Sequence, residues 1–214
     1  MDYINQTIRY VKKELQGAEA GHDWFHIERV YKNALQILQH EQADEQVVIL
    51  GALLHDIADS KFHNGNEEIG PEKALAFMTS IQIDEKVKNH VVKIIRNISF
   101  KGGNFTQSFS STELNIVQDA DRLDALGAIG IARAFHFGGF HNRIIYDRAE
   151  KPKMNMTKEE YKKHVGTTIN HFDEKLLQLK DRMNTSTGKK IATQRHQFMT
   201  QFLEQFYAEW NGER

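Results

Sequence analysis

An apolar run of this chain ends abruptly on a histidine and an aspartate. Residues 47–54 are all apolar or small, and His55 and Asp56 follow them directly. A polar group that is buried without a partner costs free energy, so something must satisfy both side chains. A buried ion pair is the ordinary explanation. A bound cation is the other one, since imidazole nitrogen and carboxylate oxygen are both good metal ligands.

Two further ionisable side chains fall on apolar faces of predicted helices. His26 shares a face with Val30, although a lone histidine on such a face is usually a hydrogen-bonded core residue. Asp121 lies four residues after Val117 and shares its inward face, whereas Asp119 lies about 200° around the helix from Asp121. Together with the pair above, these side chains form a nitrogen and oxygen ligand set that suits Mn, Fe, Co, Ni or Zn. Such a set leaves positions for water, and an open site of this kind can carry out hydrolysis.

Helical spacing of apolar residues prevails in the segments that must position these side chains. Runs of β-branched residues with a period of two are scarce, and the chain contains only 2 Pro. Residues 47–54, apolar on all sides, are predicted to form a central helix surrounded by others. A long helix is predicted to begin at Thr157 and to run through Val165 and Phe172 to Met183. We therefore predict an all-α protein.

The bulk composition limits the classes of function. The chain has 214 residues, of which 40% are hydrophobic, so one domain with a real core is expected. A formal net charge of −1 argues against a nucleic-acid partner. The absence of Cys excludes thiolate metal sites and fits a reducing cytoplasm. No signal peptide and no membrane-spanning stretch is recognisable, so we expect a cytoplasmic protein that does not act at a membrane.

The order of these histidines and acids resembles the HD-domain superfamily of metal-dependent phosphohydrolases. The strings GHDWFHIERV, LLHDIADSKFH and VQDADRLDALGAIGIAR look like its bacterial YpgQ/YedJ-type branch, whose studied member is a nucleoside-triphosphate pyrophosphohydrolase. The resemblance continues into HFDEKLLQLKDRMNT and RHQFM near the C-terminus. It implies a helical bundle around a buried metal site in a single domain, residues 1–214. Within that domain, an HD core would cover about 20–130, with C-terminal helices 157–210 packed on it.

Carried over residue by residue, the resemblance implies one divalent transition metal. Mn is the first expectation, with Ni, Co, Fe, Zn or Mg as alternatives. Its implied ligands are His26, His55, Asp56 and Asp121. The dipeptide His22-Asp23, by contrast, is interpreted as a helix cap.

The expected chemistry is attack of water, activated by the ion, on a phosphorus atom. Asp59, one turn beyond His55, is the candidate to orient or deprotonate that water or to support a ligand, although it could simply cap a loop. Basic side chains are candidates for phosphate contacts, but each could equally lie in solvent. These candidates are Lys61, Arg29, Arg122, His171 and Lys175.

Departures from related subfamilies narrow the expected substrate. Superfamily members that act on nucleoside monophosphates carry Glu where this chain has Asp59, and those that hydrolyse (p)ppGpp carry Glu-Asp where it has Asp59-Ser60. We therefore expect hydrolysis of (deoxy)nucleoside triphosphates to monophosphate and pyrophosphate. The alternatives are a nucleoside 5'-monophosphate phosphatase, a non-catalytic nucleotide-binding regulatory HD domain, and a structural helical module with buried ion pairs. A homodimer is left open.

Overall fold

The computed structural model describes residues 2–18, 22–58, 66–98, 109–157, 160 and 164–214. Every regular element within these ranges is helical, which confirms the all-α prediction. The elements are α1 (Asp2–Glu14), α2 (Trp24–Leu38), α3 (Glu45–Leu54), α4 (Ile69–Ser80), α5 (Glu85–Ile98), α6 (Thr112–Asp124), α7 (Gly127–Phe140), α8 (Asn170–Glu174), a 3₁₀ helix (Leu176–Arg182) and α9 (Ser186–Trp210). None of these helices combines the length and hydrophobicity needed to cross a lipid bilayer.

The chain divides into two compact units, Met1–Asp121 and Arg122–Arg214, and α6 contributes residues to both. This division is not evidence for the HD core (about 20–130) and the packed C-terminal helices (157–210) that the sequence resemblance implies. The single domain over residues 1–214 therefore stays a prediction.

Helix α3 is the central element of the first unit. All of its residues from 47 to 54 are buried, and α1, α2 and α5 pack around it, as its uniformly apolar sequence predicts. A Cβ atom at Gly51 would lie 3.3 Å from the Val117 side chain of α6 and 3.4 Å from the Ile94 side chain of α5. A glycine there lets the three helices approach closely.

An aromatic cluster lies in the second unit, where α7 packs against α9. The Phe135 ring lies 6.2 Å from that of Phe172 and 5.9 Å from that of Phe202, measured between centroids. The ring of Tyr146 meets those of Tyr207 and Trp210 edge-on. These contacts make Tyr146 part of the packing of this unit.

The long helix predicted from Thr157 to Met183 is wrong. Thr157 and Glu160 do exchange the two hydrogen bonds of a capping box, at 2.7 and 3.2 Å. However, residues 164–169 are not helical, because the backbone N–H groups of residues 168 and 169 donate to the carbonyls of residues 144 and 145, both at 3.0 Å. From residue 170 to Met183, only α8 and the 3₁₀ helix form, while residues 158–159 and 161–163 lie outside the described residues.

Candidate metal centre

The first candidate ligand lies one turn into α2. Asp23 caps this helix, since its side chain accepts a hydrogen bond from the backbone N–H of His26 at 2.9 Å. His26 is only 3% exposed, and its Nε2 lies 3.5 Å from Oδ1 of Asp121. The cap and the apolar stripe of α2 therefore direct this imidazole toward α6.

The second candidate ligand, His55, lies at the C-terminal end of α3. Its Nδ1 is 2.9 Å from the carbonyl oxygen of Ala52, and a carbonyl can only accept, so Nδ1 carries the proton. The lone pair is then on Nε2, which lies 4.0 Å from Oδ1 of Asp121. The rings of His26 and His55 are 5.3 Å apart between centroids. Both imidazoles are therefore close to one carboxylate, at a helix end whose partial negative charge favours a cation.

Asp56 provides the third candidate ligand, in the turn that follows α3. Its Oδ2 lies 2.5 Å from Nδ1 of His22, the residue before the α2 cap. Burial by itself raises the pKa of the Asp56 carboxyl, but the hydrogen bond from His22 and the electrostatic effect of the neighbouring imidazoles of His55, His22 and His26 outweigh it and lower the pKa. Asp56 is therefore an anion at neutral pH.

The donor set and its spacing fit a divalent cation. Within the part of the chain that the structure describes, His26, His55 and Asp56 each offer a ligand atom, and these atoms lie within 4.8 Å of one another. Ligand atoms around one ion lie within roughly 4 Å of one another, so this spacing would let the three side chains hold a cation together. Two nitrogens and one oxygen without sulfur suit the borderline transition metals. This group could hold a divalent metal.

Asp121 and Asp119 differ in a way that helical phase only partly predicts. Asp121 faces the two imidazoles, as its register with Leu114 and Val117 suggests, although its side chain is 40% exposed. Asp119 is completely buried, so the acid that was expected to point elsewhere is also inside the protein. The reason is that α6 is enclosed on more than one side, with every residue from 116 to 120 buried.

The remaining site residues predicted from the sequence are Asp59, Lys61, Arg29, Arg122, His171 and Lys175. Asp59 and Lys61 lie outside the described residues. Arg29 lies partly exposed on α2, and one guanidinium nitrogen of Arg122 donates to the carbonyl of Arg182 at 2.7 Å. The roles proposed for these side chains stay predictions.

His171 and Lys175 lie at α8 and just after it, in the second unit. Burial lowers the pKa of His171 to about 4, and the positive charges of Lys175 and Arg143 act in the same direction. His171 is therefore neutral at physiological pH. It could meet a phosphate as a hydrogen-bond donor but not as a cation.

Sequence reasoning missed two residues around the candidate ligands. His22, interpreted as part of a cap, contacts Asp56; the repeated His-Asp dipeptide was the available signal. Asn33, on the same face of α2 as His26, donates from Nδ2 to the carbonyl of Ala120 at 3.0 Å. An amide on an apolar face was the signal there.

The sequence comparisons agree with this geometry. The HD domain family model matches residues 24–126, which include His26, His55, Asp56 and Asp121. YpgQ of Bacillus subtilis (strain 168) is 35% identical over 201 residues, which cover 94% of this chain and 90% of YpgQ. The chain belongs to the HD-domain superfamily. HD domains bind divalent metals, which fits the group of two histidines and one aspartate.

Solved structures extend the similarity of this HD-domain protein over nearly its whole length. An HD-superfamily hydrolase from Bacillus thuringiensis superposes with a TM-score of 0.79 at 41% identity, covering 98% of this chain and 97% of the other. The structure of B. subtilis YpgQ in complex with ADP superposes with a TM-score of 0.73 at 33% identity, covering 96% and 94%. This HD-domain protein is therefore a hydrolase of that superfamily.

Proposed function

We propose that this hydrolase cleaves (deoxy)nucleoside triphosphates into nucleoside monophosphate and pyrophosphate with the help of one divalent transition metal. The observation that carries the proposal is the group of His26, His55 and Asp56, whose ligand atoms lie within 4.8 Å of one another. Asp121 adds a carboxylate oxygen 3.5 Å from Nε2 of His26. Buried imidazoles beside carboxylates are costly for a purely structural module and useful for metal-assisted hydrolysis.

Under this proposal, His26, His55, Asp56 and Asp121 would hold the metal. When bound, the ion would lower the pKa of a water molecule and polarise a phosphoryl oxygen. The tautomer of His55 suits a metal ligand, because the hydrogen bond to the Ala52 carbonyl keeps the proton on Nδ1. The lone pair of Nε2 is then available to the ion. Mn is the first candidate because the resemblance implies it and the two carboxylates suit it, while the imidazoles keep Fe, Co, Ni and Zn as alternatives.

The proposed reaction is a displacement at the α-phosphorus. The water oxygen forms a bond to that phosphorus, and the bond to the oxygen bridging the α and β phosphates breaks, so its electron pair leaves with pyrophosphate. Asp59 is the proposed acceptor or orienter of the water proton. A polyanionic leaving group needs cations, for which Lys61, Arg29, Arg122 and Lys175 are proposed, while neutral His171 would donate a hydrogen bond.

A nucleotide is proposed as the substrate because a relative of this chain binds one. YpgQ, which is 33% identical to this chain across 96% of its length, has been crystallised in complex with ADP. That complex supports a nucleotide ligand for this chain as well. The triphosphate is preferred to the monophosphate because Asp59 replaces the Glu of the monophosphatase branch.

The test is a panel of nucleoside mono-, di- and triphosphates assayed with Mn²⁺, Mg²⁺, Co²⁺ and Ni²⁺, with phosphate and pyrophosphate measured separately. We expect pyrophosphate and monophosphate from triphosphates. Phosphate released from monophosphates, with triphosphates left intact, would identify a 5'-monophosphatase instead. Nucleotide binding without turnover under any metal would indicate a regulatory domain. Metal analysis should find about one ion per chain in the wild type, and His55→Ala and Asp56→Ala should release it.

A further inference from the structure

His22 and Asp56 are joined by a hydrogen bond between segments 34 residues apart in sequence. The Nδ1 atom of His22 lies 2.5 Å from Oδ2 of Asp56. The His22 ring also approaches the ring of His26 nearly at right angles, with centroids 6.3 Å apart. His22 is therefore beside the candidate metal centre, although it is not a member of the compact ligand group.

We infer that His22 positions the Asp56 carboxylate so that one oxygen is held by the imidazole and the other is presented to a cation. This inference rests on the metal centre of the proposed function, but not on which nucleotide is hydrolysed. His22 is not one of the four metal ligands that the sequence resemblance implies.

Asp56 needs such a partner because of where it lies. His55 is the C-cap residue of α3, and the hydrogen bond between its Nδ1 and the Ala52 carbonyl fixes its ring. Asp56 follows the helix in a turn. A carboxylate in a turn can rotate between several orientations, and fixing one of them costs conformational entropy on metal binding. A donor on one oxygen removes that freedom in advance.

The neighbouring residue links this contact to the start of α2. Asp23 caps the helix through the backbone N–H of His26 at 2.9 Å. One dipeptide thus orients two candidate ligands: Asp23 acts on the helix that carries His26, and His22 acts on Asp56. Because His22 needs only a proton on Nδ1 to donate, either the neutral or the charged ring can perform this role.

The test compares two substitutions of His22 in the full-length protein. His22→Phe keeps a flat ring but removes the donor, whereas His22→Asn keeps an N–H group at nearly the position of Nδ1. The Kd for Mn²⁺ is measured by EPR titration of metal-free protein, and the visible absorption of the Co²⁺-loaded protein reports on ligand geometry. His40→Phe is the matched control, since His40 is exposed just beyond α2. Thermal unfolding of each metal-free variant monitors folding.

We expect His22→Phe to weaken Mn²⁺ binding about 10–100-fold and to change the Co²⁺ spectrum, the range typical of losing an outer partner of a ligand. His22→Asn should stay within a few-fold of the wild type, and His40→Phe should match it. Wild-type affinity in His22→Phe, or an equal loss in a folded His22→Asn, would overturn the inference while leaving the metal centre intact. A wild type that binds neither Mn²⁺ nor Co²⁺ would overturn the metal centre and the inference together.

Discussion

The side-chain amide of Asn33 in α2 donates a hydrogen bond to the carbonyl oxygen of Ala120 in α6 at 3.0 Å. Asn33 is 7% exposed, so this bond is made where water cannot easily replace it. His26 lies two turns before Asn33 on α2, and Asp121 directly follows Ala120 on α6. The bond therefore sets the register between the two helices next to the 3.5 Å approach of His26 and Asp121.

Replacing Asn33 by Asp should destabilise the protein and weaken metal binding. A carboxylate cannot donate to the Ala120 carbonyl, and a buried charge without a suitable partner is costly, so we expect a loss of about 3 kcal/mol in the free energy of unfolding. Urea unfolding of the metal-free protein measures this loss. Asn5→Asp, at an exposed position of α1, is the matched control and should change stability by less than about 0.5 kcal/mol. Equal stability of the two variants would show that the bond to Ala120 contributes little.

Substitution of the two acids of α6 should have different effects, one on metal binding and the other on protein stability. Asp121→Asn removes a carboxylate 3.5 Å from His26, and we expect Mn²⁺ affinity to fall by more than the roughly 10–100-fold typical of an outer partner. Asp119→Asn changes a completely buried side chain, so it should lower stability while the metal stays bound. Metal content after gel filtration and urea unfolding distinguish the two. Loss of metal in Asp119→Asn alone would contradict the assignment of Asp121.

Adjacent glycines of α7 should respond in opposite directions to the same substitution. A Cβ atom at Gly138 would lie 2.2 Å from Oγ1 of Thr168, whereas one at Gly139 would meet nothing within 4 Å. Gly138→Ala should therefore destabilise the protein by about 1–3 kcal/mol through overpacking. Gly139→Ala should stabilise it by up to about 1 kcal/mol, because alanine has the better helix propensity. Thermal unfolding of the pair is the measurement, and a gain in both variants would contradict the close approach of Thr168.

The lowered pKa of His171 predicts a loss of stability in mild acid. Burial is the main cause, and it lowers the pKa of His171 from 6.5 to about 4 in the folded state. The unfolded chain therefore binds a proton more readily between these values, and stability falls as the pH drops from about 6.5 to about 4. After a discount for partial exposure, we expect roughly 1–2 kcal/mol from this group.

His171→Gln should remove that part of the acid-induced loss, as measured by urea unfolding at a series of pH values. His40→Gln, at the exposed end of α2, is the matched control for the loss of a histidine. An unchanged pH profile in His171→Gln would show that His171 is protonated in the folded protein at the same pH as in the unfolded chain.

Sequence patterns predicted local features of this fold well and tertiary contacts less well. The burial of α3 follows from a run with no polar residue, and a run of that kind can only lie inside. The helix over residues 157–183 failed because periodicity cannot detect that the N–H groups of residues 168 and 169 pair with the carbonyls of residues 144 and 145.

In the candidate site, too, local features could be predicted from the sequence better than tertiary contacts. The positions of residues around a helix distinguish buried from exposed side chains only when the helix has one buried face. Because α6 is enclosed on more than one side, this pattern could not predict that Asp119 is buried as well. The contact between His22 and Asp56 joins segments 34 residues apart, so the repeated His-Asp dipeptide could draw attention to His22 but could not show that it meets Asp56.

The anchor of His55 has an evolutionary consequence. Its partner is the carbonyl oxygen of Ala52, which belongs to the main chain and is present whichever amino acid the gene specifies at that position. No substitution at residue 52 that preserves α3 can delete this acceptor, so the tautomer of His55 is protected from drift. Asp56 depends on a side chain, His22, and one codon change can remove it. Of the two neighbouring candidate ligands, selection can therefore readily tune the carboxylate, while the imidazole is robust to mutation at its partner.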